Sequence, residues 1–93
     1  MRRRTYVYIV ECCDGSYYTG LTVDVKKRLG QHNSGKGAKY THSRLPVKLV
    51  HVETCVSLSA ALKRELRIKQ MRRGQKQKLV LGGRGLPKKF RAF

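Results

Sequence analysis

Two short apolar runs separated by a turn sequence constrain the fold of this chain more than any other feature. Residues 5–12 and 17–21 are rich in aromatic and β-branched side chains, and the sequence Cys-Asp-Gly-Ser at residues 13–16 lies between them. Such runs on either side of an Asp-Gly pair are typical of a β-hairpin. The sequence therefore predicts that the fold begins with two antiparallel strands.

The length of the hairpin loop decides which side chains share a face of the sheet. A two-residue turn would place Tyr8 and Tyr18 on opposite faces. A three-residue loop needs Gly15 in the left-handed conformation, which glycine adopts readily. That loop pairs Tyr8 with Gly20, which leaves open space beside the tyrosine. It also places Tyr18 opposite Val10, so that both tyrosines share one face, and we favour it.

The segment after the hairpin predicts an amphipathic helix. Thr22 or Asp24 can cap it, and the apolar periodicity continues to about Asn33. His32 would lie on the inner side of this helix. Arg28, one turn earlier, would lie at the edge of that side.

The second half of the chain continues with a loop, a strand and helices. Residues 33–46 are typical of a basic surface loop, with or without a short helical turn. Residues 47–53 alternate as a third strand would, and Ser57 or Ser59 can cap a long helix after it. A short helix is predicted around residues 75–80.

These elements predict an α+β fold in the order ββαβα. A small three-stranded antiparallel sheet would have helices packed on it. The chain has 93 residues, enough for one modest core. We expect residues 1–82 to form this single domain and residues 83–93 to form a basic flexible C-terminal tail.

The charge of the chain favours a polyanionic partner. It contains 22 Lys and Arg against 5 Asp and Glu, a formal net charge of +17. Nucleic acid is the favoured partner, because each phosphate that such a surface neutralises releases counterions. No segment approaches the ~20 apolar residues of a membrane-spanning helix, and the apolar stretch after the basic start is too short for a signal peptide. We expect a cytoplasmic protein and favour a monomer.

Glu65 is unusual among the few carboxylates. At roughly 100° per residue along the predicted long helix, it falls near the centre of an arc that also carries Leu58, Ala61, Leu62 and Ile68. A carboxylate close to a core needs a partner. An ion pair with Lys69 or Lys48 is one hypothesis, and a metal-binding carboxylate that faces a phosphate is the other.

Four short motifs occur in a fixed order on these elements. They are Tyr6-Val7-Tyr8, Tyr18-Thr19-Gly20, Val25-Lys26-Lys27-Arg28-Leu29 and Ala61-Leu62-Lys63-Arg64-Glu65. In this order they resemble the GIY-YIG nuclease domain over about residues 5–80. The stretch of residues 28–38 is similar to that of the small stand-alone members and the branched-DNA resolving enzymes of that superfamily.

The chain departs from the family pattern at two positions. Tyr6 stands where the first triplet has its glycine, a position without a catalytic group. Many family members also place an asparagine about a dozen residues after the glutamate, and this chain has none there. Gln75 or Gln77 is a candidate substitute, and the alternative is that this support is absent. This second departure bears on catalysis more than on binding.

The resemblance implies a metal-dependent endonuclease that hydrolyses phosphodiester bonds in single-stranded or branched DNA, in repair or recombination. Tyr8 would activate or position the attacking water, and Tyr18 would bind the scissile phosphate or the same water. Arg28 would hold a phosphate oxygen, and Glu65 would ligate Mg²⁺ or Mn²⁺. His32 is a secondary candidate, for proton transfer or for orienting Tyr8.

Other basic residues are candidates for phosphate contacts that do not depend on base sequence. They are Lys36, Lys39, Arg44, Lys69, Arg72 and Arg73. An alternative function is a module that keeps the scaffold and binds DNA, or RNA, with little or no catalysis. A basic protein that binds a partner protein is a third hypothesis.

Overall fold

The predicted hairpin opens an α+β fold. The structure, a computed structural model, describes residues 4–82, Leu86 and Phe90. Its elements are β1 (Thr5–Glu11), β2 (Tyr17–Thr22), α1 (Val25–Asn33), α2 (Lys39–His42), β3 (Lys48–Cys55), α3 (Leu58–Lys69) and α4 (Arg73–Gly82). The predicted order is confirmed, with α2 as a short turn of helix inside the basic loop. No helix in the described part of the chain is long and apolar enough to cross a bilayer.

The three strands form one antiparallel sheet in the order β2-β1-β3. Tyr8 lies opposite Gly20, and Val10 lies opposite Tyr18. Gly15 has a φ of 82°, the left-handed conformation that the loop requires. The three-residue loop is therefore confirmed, and with it the shared face of Tyr8 and Tyr18.

Strand β1 is buried on both faces because it lies in the middle of the sheet. One cluster of buried residues contains Val7, Ile9, Ala61 and Ile68. The cluster on the other face contains Tyr8, Val10, Cys12, Val25, Val47, Leu49 and Phe90. Helix α3 thus packs on one face of the sheet, and Tyr8 belongs to the face that α1 covers.

Side-chain caps fix where the two main helices begin. The carboxylate of Asp24 accepts a hydrogen bond from the backbone N–H of Lys27 at 3.1 Å. The hydroxyl of Ser57 accepts one from the backbone N–H of Ala60 at 3.1 Å. In each case the capping residue is the one directly before the helix, where its oxygen reaches the free N–H groups of the first turn.

Helix α3 buries a narrower face than its leucines predict. Ala61 and Ile68 are fully buried, whereas Leu58 and Leu62 are 57% and 49% exposed. The prediction that these leucines share the buried arc was wrong, because a three-stranded sheet covers only a narrow stripe of a helix. Glu65 therefore lies at the edge of the buried face rather than at its centre.

Two residues of the predicted C-terminal tail are described, and both pack against the sheet. Phe90 is 6% exposed, and its ring meets Tyr6 edge-on at a centroid distance of 5.6 Å. Leu86 packs against the same cluster. The rest of the predicted tail lies outside the described residues, and the division of the chain at residue 82 stays a prediction.

An ion-pair network that the sequence did not predict joins β3 to α3. Arg64 donates from Nε to Glu53 Oε1 at 2.7 Å and from Nη2 to Oε2 at 2.9 Å. His51 Nε2 lies 2.8 Å from the same Oε2. The hydrogen bond from His51, and then those from Arg64, lower the pKa of Glu53 from 4.5 to about 2.

We expect Glu53→Gln to lower the melting temperature at neutral pH. We also expect the melting temperature of the variant to fall less than that of the wild type as the pH is lowered. A lowered carboxyl pKa contributes stability that is present above the unfolded value of 4.5 and is lost as the pH falls through about 2. Thermal unfolding across this range measures the effect, and the difference between variant and wild type should shrink towards acid. Glu11→Gln is the control, since Glu11 pairs with no described cation. A difference that stays constant with pH would contradict the prediction.

Candidate active site

Tyr8 and His32 form a buried hydrogen-bonded pair. Tyr8 Oη and His32 Nε2 are 2.7 Å apart, and the residues are 2% and 0% exposed. The hairpin register directs Tyr8 towards α1. His32 faces the tyrosine because it lies seven residues after Val25, on the same inner side of the helix. His32 was predicted as a secondary candidate, for proton transfer or for orienting Tyr8, and the fold brings the two residues into contact.

Burial and neighbouring charges set the protonation of this pair. The pKa of Tyr8 is raised, chiefly by burial, although the nearby Arg28 guanidinium opposes the shift. The pKa of His32 is lowered from 6.5, first by burial and then by the positive charge of Arg28. Near neutral pH the tyrosine therefore keeps its proton, and the histidine is uncharged and able to accept one.

Arg28 carries a hydrogen-bond donor that the fold leaves unused. Its Nη1 donates to Gln31 Oε1 at 3.2 Å. Its Nε is buried and has no partner among the described residues. An open cleft of about 560 Å³ between the end of β2 and the start of α1 is lined in part by Arg28. A buried donor without a partner is costly, and an anionic oxygen would satisfy it.

Glu65 extends from α3 and acts electrostatically on Tyr8. Its side chain is 19% exposed, and Oε2 lies 3.6 Å from Lys69 Nζ. Lys69 is thus the observed ion-pair partner of the two that were predicted. That side chain is 47% exposed, and such pairs contribute only about 0–1 kcal/mol. The negative charge of Glu65 is also among the causes, after burial, that raise the pKa of Tyr8.

The available donors fit a magnesium-type ion rather than zinc. Across residues 4–82, Leu86 and Phe90, no three His, Cys, Asp or Glu side chains cluster so that they could hold a metal. A zinc site uses three or four such ligands. Mg²⁺ retains several waters and takes one or two carboxylates together with substrate phosphates, and Mn²⁺ accepts similar ligands. Glu65 alone fits that requirement.

Tyr18 lies between the pair and helix α2. Its ring meets His32 edge-on at 5.4 Å and stacks on Tyr40 at 6.1 Å. The Arg44 guanidinium lies 4.0 Å from the centroid of the Tyr40 ring, and Arg44 Nε bonds Asp14 Oδ2 at 3.1 Å. Arg44, predicted to contact nucleic acid, is thus held by contacts within the chain. These contacts connect α2 to the hairpin loop.

The other five predicted phosphate-binding residues lie at or near the surface. Lys36 and Lys39 lie just before and at the start of α2. Lys69 pairs with Glu65, and Arg72 follows the end of α3. The Arg73 guanidinium lies 4.9 Å from the centroid of the Tyr17 ring. At least Lys69 is therefore close to a predicted catalytic residue.

One of the glutamines proposed to replace the missing asparagine has a local structural role. Gln75 Oε1 accepts a hydrogen bond from the backbone N–H of Arg72 at 2.9 Å, at the start of α4. Gln77 is exposed. Substitution of either residue for the asparagine stays a prediction.

Two glycines make room for the Tyr8–His32 pair. A β-carbon on Gly20 would lie 2.6 Å from Tyr8 Oη, and one on Gly37 would lie 2.5 Å from His32 Nδ1. The space predicted over Gly20 is therefore occupied by the tyrosine. Gly37 was not predicted, nor was Thr41, whose Oγ1 lies 2.9 Å from His32 Nδ1. No spacing signal indicates them, because only the path of the loop brings them to His32.

We expect Gly20→Ala to damage the site and the fold together. The added methyl group would overlap the buried Tyr8 ring, and overpacking of this kind costs about 1–3 kcal/mol. Denaturant unfolding measures the loss. Gly30→Ala is a matched control, because a β-carbon at this helical glycine meets nothing within 4 Å. That control should be neutral or stabilising, and equal losses in the two variants would contradict the prediction.

This fold and this arrangement of residues match a known family. A model of the GIY-YIG catalytic domain matches residues 4–78. The chain belongs to the GIY-YIG family.

Its similar relatives are small UPF0213 proteins. The one from Syntrophus aciditrophicus is 60% identical over 78 residues, which cover 83% of this chain and 90% of the relative. The one from Halobacterium salinarum is 55% identical over 74 residues, 80% of this chain and 96% of the relative. The solution NMR structure of a UPF0213 protein from Bacillus halodurans has a TM-score of 0.58 and 46% identity, and the match covers 90% of this chain and 88% of that chain.

Proposed function

We propose that this protein is a metal-dependent endonuclease that hydrolyses phosphodiester bonds in single-stranded or branched DNA. The observation that carries the proposal is the buried hydrogen bond between Tyr8 and His32 beside the unused Nε of Arg28. A protonated tyrosine, a neutral histidine and a free guanidinium donor are the groups that water activation and phosphate binding require.

The proposed reaction begins with proton transfer along this pair. Tyr8 Oη takes a proton from the attacking water while its own proton passes to His32 Nε2. The water oxygen forms a bond to phosphorus, and the bond from phosphorus to the leaving oxygen breaks. The leaving oxygen takes a proton from solvent, so the products are a phosphate monoester and an alcohol. Tyr8 then releases to solvent the proton that it took from the attacking water, and His32 hands its own proton back to Tyr8, which resets the pair. A tyrosine whose pKa is raised by burial needs such an acceptor.

The other site residues bind the phosphate and the ion. Arg28, which lines the open cleft, would donate from its guanidinium to a phosphate oxygen, on which charge grows in the transition state. Tyr18 would contact the same phosphate or the water. Glu65 would hold Mg²⁺ or Mn²⁺, and a bound divalent ion neutralises charge on the phosphate.

Cleavage of labelled DNA tests this function. Single-stranded, branched and plain duplex DNA are each incubated with Mg²⁺, with Mn²⁺ and with a chelator. We expect cleavage of the single-stranded or branched substrate with either ion and none with the chelator. An RNA with the same single-stranded or branched structure is incubated in parallel, and its cleavage rate relative to that of the DNA shows which nucleic acid the protein prefers. If every substrate stays intact with both ions, the proposal fails.

A second candidate function is nucleic-acid binding without catalysis. It is favoured by the absence of the usual asparagine and by the use of Gln75 in capping α4. This function predicts binding that does not need a metal and weakens steeply with salt. On duplex DNA the logarithm of the binding constant should fall with the logarithm of salt concentration by about 0.9 per phosphate contact. Strong binding without cleavage under any ion would support this alternative.

A further inference from the structure

Thr41 is a fully buried polar residue that the proposed reaction does not yet use. It lies on α2 and is 0% exposed. Its Oγ1 is 2.9 Å from His32 Nδ1, the ring nitrogen that faces away from Tyr8, and 3.0 Å from the carbonyl oxygen of Ala38. Tyr8, His32, Thr41 and Ala38 thus form one continuous chain of hydrogen bonds.

The direction of this chain follows from the number of protons. A carbonyl oxygen can only accept, so the single hydroxyl proton of Thr41 goes to Ala38. The hydroxyl oxygen must then accept from His32, which places the imidazole proton on Nδ1. His32 Nε2 carries the lone pair, and Tyr8 donates to it. The opposite direction would leave two oxygens, on Thr41 and Ala38, 3.0 Å apart with no proton between them.

We propose that Thr41 is a positioning residue that fixes the tautomer of His32, so that Nε2 can accept the proton of Tyr8. The inference rests on the proposed function, since a tautomer matters for cleavage only if the Tyr8–His32 pair transfers a proton. It also gives α2 a role besides that of Lys39, which was predicted to contact phosphates.

Helix α2 is held in place by contacts on both sides of Thr41. Arg44 Nη1 donates to the carbonyl oxygen of Tyr40 at 2.7 Å, and Arg44 Nε bonds Asp14 of the hairpin loop at 3.1 Å. Gly37, just before α2, allows the backbone to approach His32 closely. A short helix fixed in this way can hold a hydroxyl against one ring nitrogen, as precise positioning requires.

Thr41→Val is the variant that separates the hydroxyl from the shape of the side chain. Valine fills the same volume but offers no acceptor, so a proton on Nδ1 would be buried without a partner. The imidazole is then expected to move its proton to Nε2 and donate to Tyr8 Oη. Thr41→Ser keeps the hydroxyl and is the matched control.

The tautomer itself is measured by nitrogen NMR of histidine-labelled protein, without substrate or metal. We expect His32 of the wild type and of Thr41→Ser to carry the proton on Nδ1, and His32 of Thr41→Val to carry it on Nε2. A wild-type His32 protonated on Nε2, or a Thr41→Val protein that keeps the proton on Nδ1, would overturn the inference. The wild-type spectrum tests the position of the proton even if the valine variant does not fold.

Kinetics then connect the tautomer to cleavage. We expect Thr41→Val to lower kcat by about ten- to hundredfold, by analogy with the loss of a residue that orients a metal-ligating histidine, with KM unchanged. Thr41→Ser should restore kcat. A valine variant with wild-type kcat would overturn the inference alone. Absence of cleavage by the folded wild type would overturn the proposed function, and the role of Thr41 in catalysis with it.

Discussion

Tyr8→Phe is expected to lower the rate of DNA cleavage by about 10²- to 10⁴-fold, the contribution usual for general acid–base catalysis. DNA affinity should change little, because the Tyr8 hydroxyl bonds His32 and would act on the attacking water, whereas Arg28 and the basic surface residues would hold the phosphates. Single-turnover cleavage and equilibrium binding on the same labelled DNA measure the two quantities separately.

Tyr17→Phe is the matched control for this variant. Tyr17 precedes Tyr18 on β2 and lies on the opposite face of the sheet, with the cluster that α3 covers. The Tyr17→Phe variant should cleave DNA at the wild-type rate. Equal losses in the two variants, or a full rate in Tyr8→Phe, would show that the Tyr8 hydroxyl is not part of the reaction.

The pH dependence of cleavage follows from the state of His32. Its pKa is lowered from 6.5 by burial and by Arg28, so the imidazole is neutral at and above that pH. A protonated imidazole cannot accept the proton of Tyr8. Cleavage should therefore hold steady as the pH falls to about 6.5 and decline only at more acid values. A decline that begins well above this value would contradict the role of His32 as the acceptor.

Glu65→Gln is expected to abolish cleavage and, separately, the response of the protein to divalent ions. A ligand that binds only the folded state raises the melting temperature, so Mg²⁺ or Mn²⁺ should stabilise the wild type. The amide of glutamine has no charge for the ion, and this stabilisation should disappear. Thermal unfolding with and without each ion measures the effect without any substrate.

The competing hypothesis is that Glu65 serves only as the ion-pair partner of Lys69. The same unfolding measurements distinguish this role from metal binding. If Glu65 served only that pair, its loss would cost about 0–1 kcal/mol of stability and leave the response to ions unchanged. Glu11→Gln is the control for a general loss of negative charge, and it should keep both cleavage and the response. Stabilisation by Mg²⁺ or Mn²⁺ that persists in Glu65→Gln would assign the ion to another site.

Local signals in the sequence were sufficient for most of the fold. The Asp-Gly loop and the alternation of the strands predicted the hairpin and its register, since a left-handed glycine and a two-residue side-chain period leave few choices. Capping residues narrowed the start of α1 to Thr22 or Asp24 and that of α3 to Ser57 or Ser59, and the structure uses Asp24 and Ser57. The exposed face of α3 was not predictable in the same way, because burial depends on how much of the helix the sheet covers.

The sequence by itself determined which residues are candidates for the chemistry: the tyrosines on the first two strands, Arg28 and His32 on the first helix, and Glu65 on a later one. These candidates follow from short motifs that resemble the GIY-YIG nuclease domain, and such motifs are local in the sequence. Only the tertiary structure decided that Tyr8 bonds His32, that Arg28 keeps a free Nε among the described residues, and that Thr41 lies behind the histidine. Contacts between residues far apart in the chain depend on the path of the loop between α1 and β3, and no periodicity encodes that path.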